Sequence, residues 1–118
     1  MRSSEQDTIA SLRCSRIRAL NDRLRTHREG GKIIMTRGVA ALGDETLAAV
    51  LKALGGFDAF TTDNDPCGEH DMGAIEIGDH VLLWKIDYYD KDLAFASPDP
   101  SDPEVTTRVL TLMLAEDY

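Results

Sequence analysis

Cysteine is nearly missing from this chain. Its 118 residues hold two, Cys14 and Cys67, too few for a disulfide scaffold, and both are read as free thiols. Long apolar runs are missing too. Nothing approaches the roughly 18 continuous apolar residues of a membrane span, and Met1 to Thr8 has no hydrophobic core for a signal peptide. A cytoplasmic protein without a membrane partner is expected. Aromatic residues are few, one Trp, three Tyr and three Phe, and they do not interleave with basic ones. Together with a net charge of −8 this argues against direct binding of nucleic acid. No glycine-rich phosphate loop occurs, and no motif demands a cofactor.

Positive charge is missing from one region in particular. Residues 58–104 carry thirteen acids against Lys85 and Lys91, whereas residues 1–37 hold nine basic groups and four acids. The overall −8 is therefore the remainder of a basic start and an acidic middle. Opposite charges on the two parts allow homo-oligomers by head-to-tail association. They equally allow the first helix to fold back on the acidic region.

A polar tail is expected over 1–8, disordered, followed by one domain over 9–118. Cys14, Ile17, Leu20 and Leu24 recur at three- and four-residue intervals, which places them on one face of a helix over about 8–28. Arg13, Arg16, Arg18, Arg23, Arg25 and Arg28 occupy most of the rest, as a solvated face or as partners of the protein's own acids. Lys32 to Thr36 is a short β-rich run. Leu47, Val50, Leu51 and Leu54 form the stripe of a second helix over 44–55, capped by Asp44 and stopped by a left-handed Gly55-Gly56.

Residues 57–71 lose periodicity and read as a long loop, a length usually tied to function. Two strand-like runs follow, 72–77 and 80–88, joined by Gly78-Asp79, which suits a type II′ hairpin turn. A short edge strand near 93–96 is allowed. Pro98, Pro100 and Pro103 exclude helix up to 103, and a third helix over 103–116 is expected, with Asp102 as cap and Val105, Val109, Leu112 and Met113 as its stripe. The fold class is α+β, a small antiparallel or mixed sheet with a central β-hairpin packed by three helices.

The hairpin register sets Ile77 opposite His80. One face then carries Ile75, Ile77, Leu82, Trp84 and Ile86 toward the core, with Gly73 leaving room for the Trp84 ring. At the open end His70 faces Asp87, with Lys85 diagonal to it. An imidazole beside a carboxylate and an ammonium suits acid/base chemistry or metal ligation. The plainer reading is that His70 and Asp87 tie down the loop.

Asp63, Asp65 and Gly68 match the start of a calcium loop, but Cys67 and Ala74 break the pattern where ligands are needed. Asp63, Asp65 and His70 remain a looser candidate metal set. Cys67 and His70 have a zinc-compatible spacing without a second pair, and acidic surroundings disfavour Cys67 as a nucleophile.

The segments RIRALNDRLR (16–25), DNDPCGEHDMGAIEI (63–77), WKIDYYDKDL (84–93) and SPDPSDPEVTTRVLTLMLAEDY (97–118) closely resemble the family called domain of unknown function 3768, over about 16–118. The resemblance implies a short single-domain alphaproteobacterial protein of the kind carried on mobile elements, with no assigned activity. The chain departs from the family pattern at Cys67, where tyrosine is usual, and at Met72, where phenylalanine is usual.

Two functional expectations follow. In the first, the chain is a non-enzymatic acidic binding protein, an inhibitor of a host-defence complex that binds nucleic acid. Asp63, Asp65, Glu69, Asp71, Asp90 and Asp92 would meet a protein partner with a basic surface. In the second, His70, Asp87 and Lys85 with the Asp63–Asp71 loop form a metal-assisted or acid/base site for a small ligand. The first needs acids spread over one face, the second acids converging on His70.

Overall fold

The computed structural model describes residues 4–118. Helix α1 spans Ser4–His27, followed by strand β1 (Lys32–Met35), a single turn α2 (Arg37–Ala40) and helix α3 (Asp44–Gly55). Strands β2 (Met72–Ile77), β3 (His80–Tyr89) and β4 (Thr107–Leu114) complete the chain with a final 3₁₀ turn over Ala115–Asp117. The four strands form one mixed sheet in the order β1-β4-β3-β2, with β1 parallel to β4 and the other pairs antiparallel. This is the α+β class, with one hydrophobic cluster. Among the described residues no helix is long and apolar enough to cross a membrane.

The hairpin has the expected register. Ile77 pairs with His80 and Gly73 with Trp84. Gly78 takes φ 58° and Asp79 does not share that positive φ, which is the II′ pattern. A Cβ on Gly73 would lie 2.6 Å from the Phe57 ring and 2.7 Å from Trp84 Nε1, so this glycine does make room for the indole.

The expected helix over 103–116 is instead the turn before β4 and β4 itself. The Val105, Val109, Leu112, Met113 spacing fits a helix, yet the same segment alternates Arg108, Leu110, Leu112 and Leu114 on one side with Val109, Thr111 and Met113 on the other. Thr106, Thr107, Val109 and Thr111 are β-branched, which favours extended backbone. Asp102 accepts the Glu104 N–H through Oδ1, making a turn rather than a helix cap. β4 lies between β1 and β3, which pair both of its edges, and along it only Thr107, Thr111 and Leu114 are partly exposed.

Smaller differences concern the ends of elements. Helix α1 already includes Ser4–Thr8, part of the segment expected to be a disordered tail; the rest of that segment lies outside the described residues. Gly43 rather than Asp44 precedes α3, and Gly56 has φ −93°, so that helix stops without a left-handed residue. The edge strand near 93–96 reduces to one bridge between Tyr89 and Ala96.

The helices cover one face of the sheet. Leu24, Val39, Val50 and Leu54 pack on Ile75, Leu82, Trp84, Ile86, Leu110 and Leu112, all of the same strand parity. Trp84 is fully buried, and each such large apolar side chain contributes on the order of 1.5–3 kcal/mol. The opposite face carries Ile34, Val81, Leu83, Lys85, Asp87, Val109 and Met113.

Candidate functional site

Helix α1 presents more than its apolar stripe to the sheet. Asn21 and Arg25 fall between Ile17, Leu20 and Leu24 on the inward side and are buried. Buried polar groups need partners, and both residues find them, although Arg25 Nε has none. Asn21 Nδ2 donates to the Glu69 carbonyl at 3.0 Å and to the Tyr88 hydroxyl oxygen at 2.8 Å, while its Oδ1 accepts from Arg108 Nε at 2.9 Å. Arg108, 1% exposed, also donates to the Pro100 carbonyl and lies over the Tyr88 ring at 5.3 Å. Burial holds its pKa below the usual arginine value.

Arg25 forms a second branch. It donates to the Phe57 carbonyl at 2.8 Å and to Asp22 Oδ1 at 2.9 Å, with its guanidinium 5.3 Å from the centre of the Phe60 ring. Asp22 Oδ1 also meets His70 Nδ1 at 2.8 Å. The His70 ring stacks on Phe60 with centroids 3.8 Å apart and planes 4° off parallel, and its Nε2 is 3.7 Å from Asp65 Oδ2. His70 is thus held between two carboxylates and a phenyl ring.

This is a different environment from the one expected. His70 takes φ 55°, a left-handed conformation that ends strand pairing before β2 and turns the ring to the helix-covered side. Lys85 and Asp87 remain together on the other face, Nζ to Oδ2 3.2 Å. The expected group of His70, Asp87 and Lys85 is therefore divided by the sheet.

The acids of the loop separate in the same way. Asp65 is buried and accepts the backbone N–H groups of Glu69 and His70. Glu69 accepts the Tyr88 hydroxyl proton at 2.8 Å. Asp71 is half-buried, and desolvation, followed by the Glu69 charge, pushes its pKa up. Asp90 accepts the Ala94 N–H, whereas Asp63 and Asp92 are exposed. Asp65 and His70 come together without Asp63, and among the described residues no three His, Cys, Asp or Glu side chains are grouped to hold a metal ion. The Asp63-Asn64 segment uses Asn64 in an internal turn, bonded to Thr61 and to the Ala59 carbonyl.

A cavity of about 570 Å³ adjoins this network. Ile9, Ala10, Cys14 and Ile17 of α1 form one wall, and Glu69, Tyr88 and Pro100 the other. Burial, the largest cause, raises the Tyr88 phenol well above its ordinary pKa; it stays protonated and donates to Glu69. Arg13 at the rim pairs with Asp99 at 3.4 Å. Several of the arginines therefore do answer groups elsewhere in the chain, as Arg18 does through the Gly68 carbonyl.

The sequence singles out none of Asn21, Asp22, Phe60, Tyr88 and Arg108, and it names Arg25 only among the arginines of the polar face. A signal existed for two of them, since Asn21 and Arg25 interrupt an apolar stripe at core-facing positions.

The fold and network define a small α+β domain with a polar seam between its first helix and its sheet, opening on a mainly apolar cavity. The chain belongs to the family described as protein of unknown function, DUF3768, which it matches over residues 35–117. No curated protein and no solved structure matches it.

Proposed function

We propose that the chain is a non-enzymatic binding protein that takes a small organic ammonium ion in the cavity between α1 and the Glu69–Tyr88 pair. The observation that carries this reading is the cavity itself: apolar over most of its wall, with one carboxylate and one phenol oxygen at one side, the arrangement of a selective ligand site. Asp71 nearby has its pKa raised, first by burial and then by the charge of Glu69, with smaller contributions from Asp65 and Asp87, so the acids beside the site repel one another and a cation would ease that repulsion. Arg13, which lines the cavity, is paired with Asp99, and the buried Arg108 is committed to Asn21 and Pro100. Binding is favoured over catalysis because the best base, His70, has its ring nitrogens directed at two carboxylates rather than at a nucleophile.

Thermal shift and calorimetric titration with a series of alkylammonium ions test the reading. Several members should raise the melting temperature of the wild type, and Ala10→Phe, which fills the cavity, should remove the effect. Preference for carboxylates, or equal response in Ala10→Phe, would overturn it.

A second reading is an inhibitor of a host-defence complex acting through acidic side chains toward a basic protein surface. Exposed Asp63 and Asp92 favour it, and Asp90 would join them, but Asp65, Glu69 and Asp71 are engaged or half-buried. Binding to a basic partner that survives Asp63→Lys, Asp90→Lys and Asp92→Lys together would remove this reading.

A further inference from the structure

The helix-free face of the sheet is unlike an ordinary wet face. Antiparallel sheets with one solvated side usually place polar residues there, yet Ile34, Met72 and Val81 stand 49%, 44% and 43% exposed around half-buried Leu83 and already buried Val109 and Met113 on the same side. We propose that this face packs against the same face of a second copy of the chain, so that two sheets stack with the helices outside. Such a layered arrangement is the standard way to bury two apolar sheet faces.

Lys32 and Glu76 also lie on this face, on its two edge strands, and the charge pair at its middle selects the occupant. Lys85 and Asp87 stand two residues apart on β3, paired at 3.2 Å and each partly exposed. Covering this pair with a neutral surface removes it from water without compensation, which is unfavourable. A two-fold axis running across β3 between the two residues lays each copy's Lys85 over the other's Asp87, and the pair becomes its own complement, as an isologous contact requires. An axis along β3 would set lysine over lysine. The charge pair therefore fixes an antiparallel stacking of the two β3 strands. Stacked sheets are about 10 Å apart, a gap that a lysine and an aspartate reaching from opposite sides can close.

Sedimentation equilibrium on the full chain at about 150 mM salt, where the mutual repulsion of two acidic chains is screened, tests the proposal. The wild type should show twice the chain mass at micromolar concentrations. Lys85→Asp and Asp87→Lys should each weaken association at least tenfold with unchanged far-ultraviolet circular dichroism, and the double swap should restore it. If a reversal unfolds the chain, Lys85→Gln and Asp87→Asn replace it, with weaker association again expected. A wild type that stays monomeric, single variants that associate like the wild type, or a double swap no better than the singles would each overturn the proposal.

Discussion

Arg108 and Asn21, 87 positions apart, meet where the first helix crosses the sheet, with Arg108 Nε donating to Asn21 Oδ1 at 2.9 Å. Asn21 also donates to Tyr88 and to the Glu69 carbonyl, so one amide joins α1, β3, β4 and the loop before β2. Removing it strands a buried guanidinium N–H, and such a loss costs more than the hydrogen bond itself contributes. Asn21→Ala is expected to destabilise the fold by about 2–4 kcal/mol, read from the urea midpoint at constant slope. A loss below about 0.5 kcal/mol would mean that water replaces the amide.

The hairpin was legible because its information is local: a glycine-first two-residue turn and strict alternation on both sides. The network was not, because Asn21 finds its partners 48, 67 and 87 residues away and nothing near it in sequence announces them. β4 misleads for another reason. Its apolar residues satisfy helical and extended periods together, as happens in strands buried on both faces. The hairpin register puts His70 at the open end of the hairpin, where it is found, but on the opposite side of the sheet, because its positive φ reverses the alternation.

Gly73 sits where Trp84 and Phe57 converge. An added methyl group would overlap ring atoms of both residues at under 3 Å, and neither ring can move freely in a packed core. Gly73→Ala should cost about 1–3 kcal/mol, visible as a lower melting temperature. It should also change the near-ultraviolet circular dichroism of the single tryptophan. A neutral result would require Trp84 to have another place to go.

Asp71 makes stability depend on pH in a defined sense. Burial and the charge of Glu69 raise its pKa above the ordinary 3.8, so the folded state holds the proton more tightly than the unfolded chain does. The contribution is favourable while the group is protonated and is lost as pH rises from 3.8 through the folded value, leaving a cost at neutral pH. Asp71→Asn should therefore be more stable than the wild type at pH 7. The advantage should disappear below about pH 3.8. Urea unfolding of both proteins across pH 3–7 checks this; an advantage that grows as pH falls would contradict the sign.

His70 combines a strained backbone with a well-anchored ring, and two substitutions separate them. His70→Ala deletes the stack on Phe60 and the bond to Asp22 while keeping the left-handed φ of 55°. His70→Gly deletes the same contacts, but glycine occupies that conformation freely. The lost contacts should cost about 2–3 kcal/mol in either variant, on the scale of a part-buried hydrogen bond and an aromatic pair. The left-handed conformation costs a residue with a Cβ roughly 1–2 kcal/mol. Glycine gives part of that gain back through its freer unfolded chain. The glycine variant should thus be about 1 kcal/mol more stable than the alanine variant in parallel urea titrations. Equal stability, or a less stable glycine variant, would mean that the ring alone fixes the loop and that the backbone turn before β2 stores no strain.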